Sequence, residues 1–455
     1  MKKASTTSSS VFLPKQSMTA PSVSRPATVP ATQHRASYFR RLVVDMFGKM
    51  KQGQLTLDLP DGSKLTFGQT DESQLRALPL GVAPTARLTV LDERFFRRCV
   101  LAGDIGFGES YVDGEWDSPD ITAVIAWFLL NIDNAPTLSG SARRMAHGWI
   151  LNLMRFSNRI GHLLRPNSTE TVKRNIREHY DVSNEFFQKL LDPSMMYSSA
   201  IWAQPEESLA QAQERKNESL CNLLELQPTD RVLEVGTGWG GWSIYAAGRY
   251  GCHVTTLTIS EEQYALAKQR VLVAGLAERI EVQLVDFRNW HGTYDKIVSI
   301  EMMEALGHQY LPDYSRFIAR SLAPEGLLAL QFITCPDGRY SQFRRGVDFI
   351  QKHIFPGSLL LSLNRVNEQL TRAGGFILSQ VSDHGQDYAK TLRAWHRNLE
   401  EQRPAIKELG FNEMFFRRWT YYLNYCEAAF AMRNISVVQT LHTRPNNLSM
   451  SAPRN

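Results

Sequence analysis

The segment Val232-Leu-Glu-Val-Gly-Thr-Gly-Trp-Gly-Gly241 has the residue types of a ligand-binding loop, an apolar β-branched run with one carboxylate, Glu234, followed by glycines. Glycines let the backbone turn sharply and approach a ligand with no Cβ in the way. The carboxyl end of a strand in an α/β sheet is where ligands bind. Gly236, Gly238 and Gly241 also satisfy G-x-G-x-x-G, so a dinucleotide has to be weighed. Two features oppose it. Glu234 offers the loop a carboxylate that a pyrophosphate would not favour, and Thr255-Thr-Leu-Thr258, about 20 residues on, holds no acid for a ribose. A cofactor without a pyrophosphate fits better, and S-adenosylmethionine qualifies. His179-Tyr180-Asp181 is a second group able to do chemistry. By residue type alone it is more ordinarily a hydrogen-bonded helix surface.

The elements around the loop alternate short β-branched runs with helical segments from Pro228 onward, which predicts a doubly wound α/β domain. Strands are predicted at 231–235, 253–258, 280–285, 296–300, 327–333, 376–381 and 436–441, with a helix opening near Trp242. Upstream, Leu55-Thr-Leu-Asp-Leu59 and Ser63-Lys-Leu-Thr-Phe67 flank Pro60-Asp-Gly62, a hairpin pattern. A strand at 86–91 and a helix at 92–102 with Asp92 as N-cap complete a small α+β unit. The expected organisation is a disordered tail over 1–36, an accessory domain over 37–133, a basic connector over 134–170, a catalytic domain over 171–443 and a tail over 444–455. The connector carries Arg143, Arg144, Arg155, Arg159 and Arg165 among apolar residues, as either a solvated helix face or a membrane-facing one.

Of 455 residues, 43% are hydrophobic and 21% charged, which is a globular balance. Lys plus Arg number 51 against 46 Asp plus Glu, a net +5 that suits anionic partners but is too mild to name nucleic acid. Val124-Ile-Ala-Trp-Phe-Leu-Leu130 falls short of the roughly 20 apolar residues of a bilayer span. A lipid substrate would therefore be met from outside the membrane. The five cysteines contain no C-x-x-C pair, so neither a disulfide framework nor a metal site is expected, and a reducing cytoplasm is the simplest setting. The acid-poor N-terminus also suits an organelle transit peptide, the lesser alternative.

Taken in order, Glu234-Val-Gly-Thr-Gly-Trp-Gly-Gly241, Leu257-Thr-Ile-Ser-Glu-Glu-Gln263, Asp286-Phe-Arg288 and Tyr294-Asp-Lys-Ile-Val-Ser-Ile300 resemble the cofactor half of the cyclopropane fatty acid synthase and mycolic acid methyltransferase family. Asn175-Ile-Arg-Glu-His-Tyr-Asp-Val-Ser-Asn184 and Leu191-Asp-Pro-Ser-Met-Met-Tyr-Ser-Ser-Ala-Ile-Trp202 are similar to that family's H-Y-D-x-x-N and L-D-x-x-M-x-Y-S-C segments, and Gly106 to Trp116 looks like its accessory domain. The resemblance covers about residues 88–440. It implies a class I S-adenosylmethionine-dependent methyltransferase fold, a Rossmann-like seven-stranded sheet, and transfer of a one-carbon unit to the double bond of an unsaturated acyl chain of a membrane phospholipid.

Carried over residue by residue, the resemblance puts the cofactor against Tyr180, Tyr197, Ser198, Glu234, Gly236, Gly238, Gly240, Thr258, Gln263 and Phe287, and the substrate against His179, Asp181 and Phe355. An alkene is a weak nucleophile, and attack on a sulfonium methyl leaves a carbocation that needs an anion and a dry pocket. In the family a bound bicarbonate acts as base. The match assigns its holders as Glu304, Tyr388 and the backbone of Ile333, with Gln331 where bacterial members have His and Ser199 where they have Cys. Gln can donate a hydrogen bond but cannot carry charge as His can. A cyclopropane ring is the leading product and a methyl-branched or methylated unsaturated chain the competitor. A non-catalytic lipid or cofactor-binding module and a small-molecule methyltransferase are the other classes, and a homodimer is left open.

Overall fold

The computed structural model describes residues 37–69, 85–132, 183–204 and 206–449. The expected 1–36 tail, the 134–170 connector and His179, Tyr180 and Asp181 lie outside the described residues.

The chain opens with helix α1 (Tyr38–Phe47), capped by the Ser37 hydroxyl, and then the hairpin β1 (Gly53–Asp58) and β2 (Lys64–Gln69). Strand β3 (Thr85–Val90) pairs parallel to β1, helix α2 (Arg94–Val112) follows, and β4 (Trp116–Asp117) closes a sheet of order β2-β1-β3-β4. Helix α2 runs ten residues beyond the predicted 92–102 end and kinks at Gly103, whose φ of 60° takes it out of the helix. The N-cap position is Glu93, not Asp92; the Asp92 carboxylate instead accepts the Arg94 amide at 2.8 Å, serving the same orphan N–H from one residue earlier. Helix α3 (Ile121–Leu130) is apolar on every side because it is buried on nearly every side, Ile121 through Phe128 all lying in the core.

After α4 (Asn184–Leu190) and α5 (Leu209–Leu223) the large sheet begins: β5 (Arg231–Val235), α6 (Gly241–Tyr250), β6 (His253–Thr258), α7 (Glu261–Val273), β7 (Ile280–Leu284), β8 (Tyr294–Ile300), α8 (Leu311–Ser321) and β9 (Leu322–Thr334). Helices α9 (Phe349–His353) and α10 (Leu363–Gly374), strand β10 (Ile377–Asp383), the long pair α11 (Gly385–Glu401) and α12 (Glu413–Ala431), and β11 (Ser436–Thr443) complete it. All seven predicted strands are present, with ends moved by a few residues. The order is β10-β11-β9-β8-β5-β6-β7, with β5 through β9 parallel and β11 antiparallel to both of its neighbours.

Alternation along each strand divides the core. Val232 and Val254 face Trp242, Ala246 and Val271, while Leu233 and Ile297 face Phe317, Ile318 and Leu370. The chain reverses direction of winding at β5, between β6 and β8, so the carboxyl ends of β5 and β8 open a crevice. Helix α12 joins this sheet to the smaller one. Its Arg417 guanidinium donates to the carbonyls of Tyr111 (2.7 Å) and Trp116 (3.0 Å) and sits 3.9 Å over the Tyr111 ring.

Candidate active site

A cavity of about 400 Å³ starts in that crevice and runs from the glycine loop into the aromatic face of α12. At its polar end Gly236, Gly238 and Gly240 all have positive φ (105°, 52° and 81°). A Cβ on Gly236 would come within 3.1 Å of the Met302 side chain, whereas one on Gly238 would meet no atom within 4 Å. The loop thus presents bare backbone to open space and keeps it free for a ligand. Glu234 does not point at that space alone: its carboxylate accepts from the hydroxyls of Ser243 and of Thr256 (2.6 Å), and the Thr256 hydroxyl also lies 2.8 Å from that of Thr237. Burial pushes the Glu234 carboxyl up to about 7, against the downward pull of those two hydroxyls.

Strand β6 delivers Thr258, whose hydroxyl donates to Gln263 Oε1 at 3.0 Å, and Ser260 caps α7 by accepting the Gln263 amide at 3.2 Å. After β7, Asp286 holds Arg288 through two guanidinium contacts of 2.9 and 2.6 Å, and Phe287 between them packs on Tyr314 and Phe317. All of these residues except the two aromatic supports line the cavity. They offer glycine backbone, amide, hydroxyl and aromatic groups beside the paired charges of Asp286 and Arg288, a set that suits an adenosine with an amino-acid tail.

Where β8 ends, the chain turns through Glu301, which has φ of +48°, a conformation uncommon outside glycine. Its Oε1 accepts from the backbone N–H of Ser199 and from Gln331 Nε2, both at 2.8 Å, and its Oε2 accepts from the Tyr388 hydroxyl at 2.8 Å. Gln331 is oriented from behind: Gln439 Nε2 donates to its Oε1 at 2.9 Å, and Ser219 donates to Gln439 at 2.6 Å. Three residues on, Glu304 Oε1 accepts from the Ile333 amide at 2.5 Å, while Glu304 Oε2 is buried with no hydrogen-bond partner among the described residues. Burial, with the neighbouring charge of Glu301, pushes the Glu304 carboxyl up to about 8. Burial raises Glu301 as well, opposed by the three hydrogen bonds and by Lys216. Lys216 is fully buried, donates to the Ser198 hydroxyl at 3.1 Å, and is pushed down to about 8 by burial, with the charges of Glu301, Asp192 and Glu234 acting the other way.

Beyond these carboxylates the cavity wall becomes apolar. Tyr197 packs against Phe187, Phe355 and Trp395, with its hydroxyl 3.2 Å from that of Tyr422. Leu359, Tyr425 and Phe430 continue the wall, and the Leu359 amide donates to the Glu304 carbonyl at 2.8 Å. One cavity therefore joins a cofactor-shaped loop, a pair of carboxylates and an apolar chamber.

Residues 167–440 match the family described as mycolic acid cyclopropane synthetase. The chain belongs to that family. Its members are S-adenosylmethionine-dependent methyltransferases, and this synthetase-family chain is one by fold and by kinship. It is 38% identical over 354 residues to tuberculostearic acid methyltransferase UfaA1 of Mycobacterium tuberculosis, covering 75% of this chain and 79% of that one. It is 32% identical over 364 residues to the cyclopropane-fatty-acyl-phospholipid synthase of Escherichia coli K12, covering 80% and 89%. Among solved structures, mycolic acid cyclopropane synthase CmaA1 complexed with SAH and CTAB matches with a TM-score of 0.55 at 29% identity, over 60% of this chain and 98% of that one.

Within this synthetase fold, Glu234, Gly236, Gly238, Thr258, Gln263, Phe287, Tyr197, Ser198, Phe355, Glu304, Ile333 and Tyr388 all border the one cavity. Gly240 stands one step back, as the left-handed N-cap of α6. Gln331 and Ser199 reach the site through Glu301. The Ser199 side chain turns away to the Ala200 carbonyl at 3.0 Å, and only its backbone N–H meets the carboxylate, so serine in place of cysteine leaves that contact unchanged. Tyr388, expected to hold an anion together with Glu304, donates its hydroxyl to Glu301. Glu301 and Lys216 were missed by sequence reasoning. A second acid, i and i+3 from Glu304 at a strand's carboxyl end, was the available signal for Glu301. Lys216 gave none, since a lysine on an otherwise polar helix reads as solvated.

Proposed function

We propose that this protein transfers the methyl group of S-adenosylmethionine to a double-bond carbon of an unsaturated acyl chain carried on a membrane phospholipid, and that the product is a cyclopropane ring. The observation that carries this reading is the continuity of the cavity, from the glycine loop past two carboxylates to an aromatic and aliphatic chamber. When bound at the loop, S-adenosylmethionine supplies an electrophilic methyl group. The apolar walls hold an acyl chain and exclude water, and the faces of Tyr197 and Tyr422, with the nearby carboxylate, stabilise the positive charge that develops on the alkyl chain. Loss of a proton from the new methyl group closes the ring. Loss from a neighbouring chain carbon leaves a methylated alkene instead.

That second outcome is favoured by one observation, the replacement of His by Gln331 beside the carboxylates, together with the 38% identity to a protein named as a tuberculostearic acid methyltransferase. No helix among the described residues is long and apolar enough to cross a membrane. The test is mass spectrometry of membrane fatty acids from cells that express the full chain and are fed methyl-labelled methionine. Acyl chains gaining one labelled carbon are expected, and resistance of that product to hydrogenation marks a ring. Absence of labelled lipid, with cofactor binding demonstrated, would overturn the reading.

A further inference from the structure

The three donors that converge at the end of β8 form an anion site: the Ser199 N–H, Gln331 Nε2 and the Tyr388 hydroxyl, each 2.8 Å from a carboxylate oxygen. Kinship assigns such donors to a free bicarbonate. Here they are already spent on Glu301, and the fourth assigned group, the Ile333 N–H, is taken by Glu304. A separate anion would have to displace one of these carboxylates from its hydrogen bonds into a cavity where burial already disfavours charge. Bicarbonate therefore does not fit the site as it stands.

We infer that the Glu301 carboxylate is the built-in replacement for that anion and serves as the catalytic base of the methyl transfer. Three further features single it out. It lines the cavity, in the same short turn as Met302, which abuts the glycine loop, and Glu304, whose carbonyl is tied to the apolar wall at Leu359. It occupies a left-handed backbone conformation in which glycine would be cheapest, so a strained position carries a carboxylate at the chemical centre. Its charge is offset by buried Lys216, and its three donors fall two on Oε1 and one on Oε2, so Oε2 of this cavity-lining residue keeps acceptor capacity. In the step that closes a ring, a C–H bond of the newly added methyl group breaks and its electron pair forms the C–C bond to the cationic carbon; in the step that gives a methylated alkene, a C–H bond on a chain carbon next to the cationic one breaks and its pair forms the double bond. In either case the proton passes to a Glu301 oxygen, from which it is released to water after product leaves.

This inference rests on the acyl-methylation reading, and the deciding measurement is independent of it. Carbon-13 NMR of labelled bicarbonate is recorded with the purified full-length protein and no lipid. Wild type is expected not to bind, and Glu301→Gly, which vacates the carboxylate while relieving the positive φ, is expected to bind. With methyl-labelled cofactor and phospholipid vesicles in carbon-dioxide-free buffer, Glu301→Gly should lose at least about 100-fold in turnover, in the range of a lost general base, and recover on adding bicarbonate. Glu301→Gln, which keeps the site filled, should lose activity without recovery. Unchanged binding of S-adenosylhomocysteine in both variants reports an intact fold. Saturable bicarbonate binding to wild type that Tyr388→Phe abolishes, or full activity of Glu301→Gln without bicarbonate, would overturn the inference. A wild type that makes no labelled lipid yet excludes bicarbonate would count against the acyl reading and leave the assignment of the anion site standing.

Discussion

Glu301 and Glu304 lie three residues apart on one turn, and their surroundings separate them. Among the described residues the first has three donors and a nearby buried ammonium, and the second a single backbone donor at 2.5 Å and one oxygen with none. Two carboxyls in one cavity with different partners is how a site keeps one ionised and one protonated. Glu304, pushed up to about 8, is the protonated member near neutrality. The consequence for stability has a definite sign. Below its ordinary value of 4.5, Glu304 is protonated in both the folded and unfolded chain. As pH rises from there to about 8 the unfolded chain ionises while the folded one does not, so the folded state is progressively disfavoured. Glu304→Gln, a neutral isostere, should remove that penalty, raising stability relative to wild type by on the order of a few kcal/mol at pH 8 with little difference near pH 4.5. Urea unfolding of both proteins at the two pH values checks this; an equal difference at both would show that Glu304 is ionised in the fold.

At the level of elements, the β5 to α6 turn is the part whose geometry follows most directly from residue type. Its three positive-φ glycines are spaced by single residues, and α6 starts from a glycine N-cap with no side-chain cap, so its first N–H groups remain available. Glu234, Thr256 and Ser243 brace the turn from β5, β6 and α6. Gly238→Ala places a methyl group in the open space and adds about 1 kcal/mol of backbone strain at φ of +52°. Affinity for S-adenosylhomocysteine should fall by roughly 10-fold or more for a loss of at least about 1.4 kcal/mol, measured by calorimetry. Unaltered affinity would mean that the ligand does not approach this backbone.

Across the whole molecule, the smaller sheet and the methyltransferase sheet are not independent bodies side by side. One continuous core runs from Phe47 and Trp116 through Tyr421 and Trp419 to Tyr388, and α12 supplies residues to it and to the cavity wall at once. Thr122 bonds Asn424 at 2.9 Å, and Glu109 of α2 meets Lys352 and His353 of α9 at 2.7 and 2.9 Å. Arg417→Met removes two bonds to buried carbonyls and a cation–π contact, and should lower unfolding stability by about 2–3 kcal/mol. The midpoint of denaturant unfolding measures it, and an unshifted midpoint would show that this junction contributes nothing.

The sequence by itself determined what local rules govern. Strand alternation and turn glycines marked every strand of the large sheet, because a half-buried pleat and a positive φ each restrict residue type at adjacent positions. The cofactor loop was legible for the same reason, whereas Thr258 with Gln263 and Glu304 were named through the resemblance to the family's motifs. Tertiary structure alone decided which groups meet. Ser199, Gln331 and Tyr388 lie far apart along the chain on three elements, and nothing in their spacing tells that all three point at Glu301 rather than at a free anion. The same holds for Lys216, whose charge is tolerated in the core only because carboxylates from other elements surround it. Hydrogen bonds between distant segments depend on how whole layers pack, and that information is spread over the fold, not carried by any one run of residues.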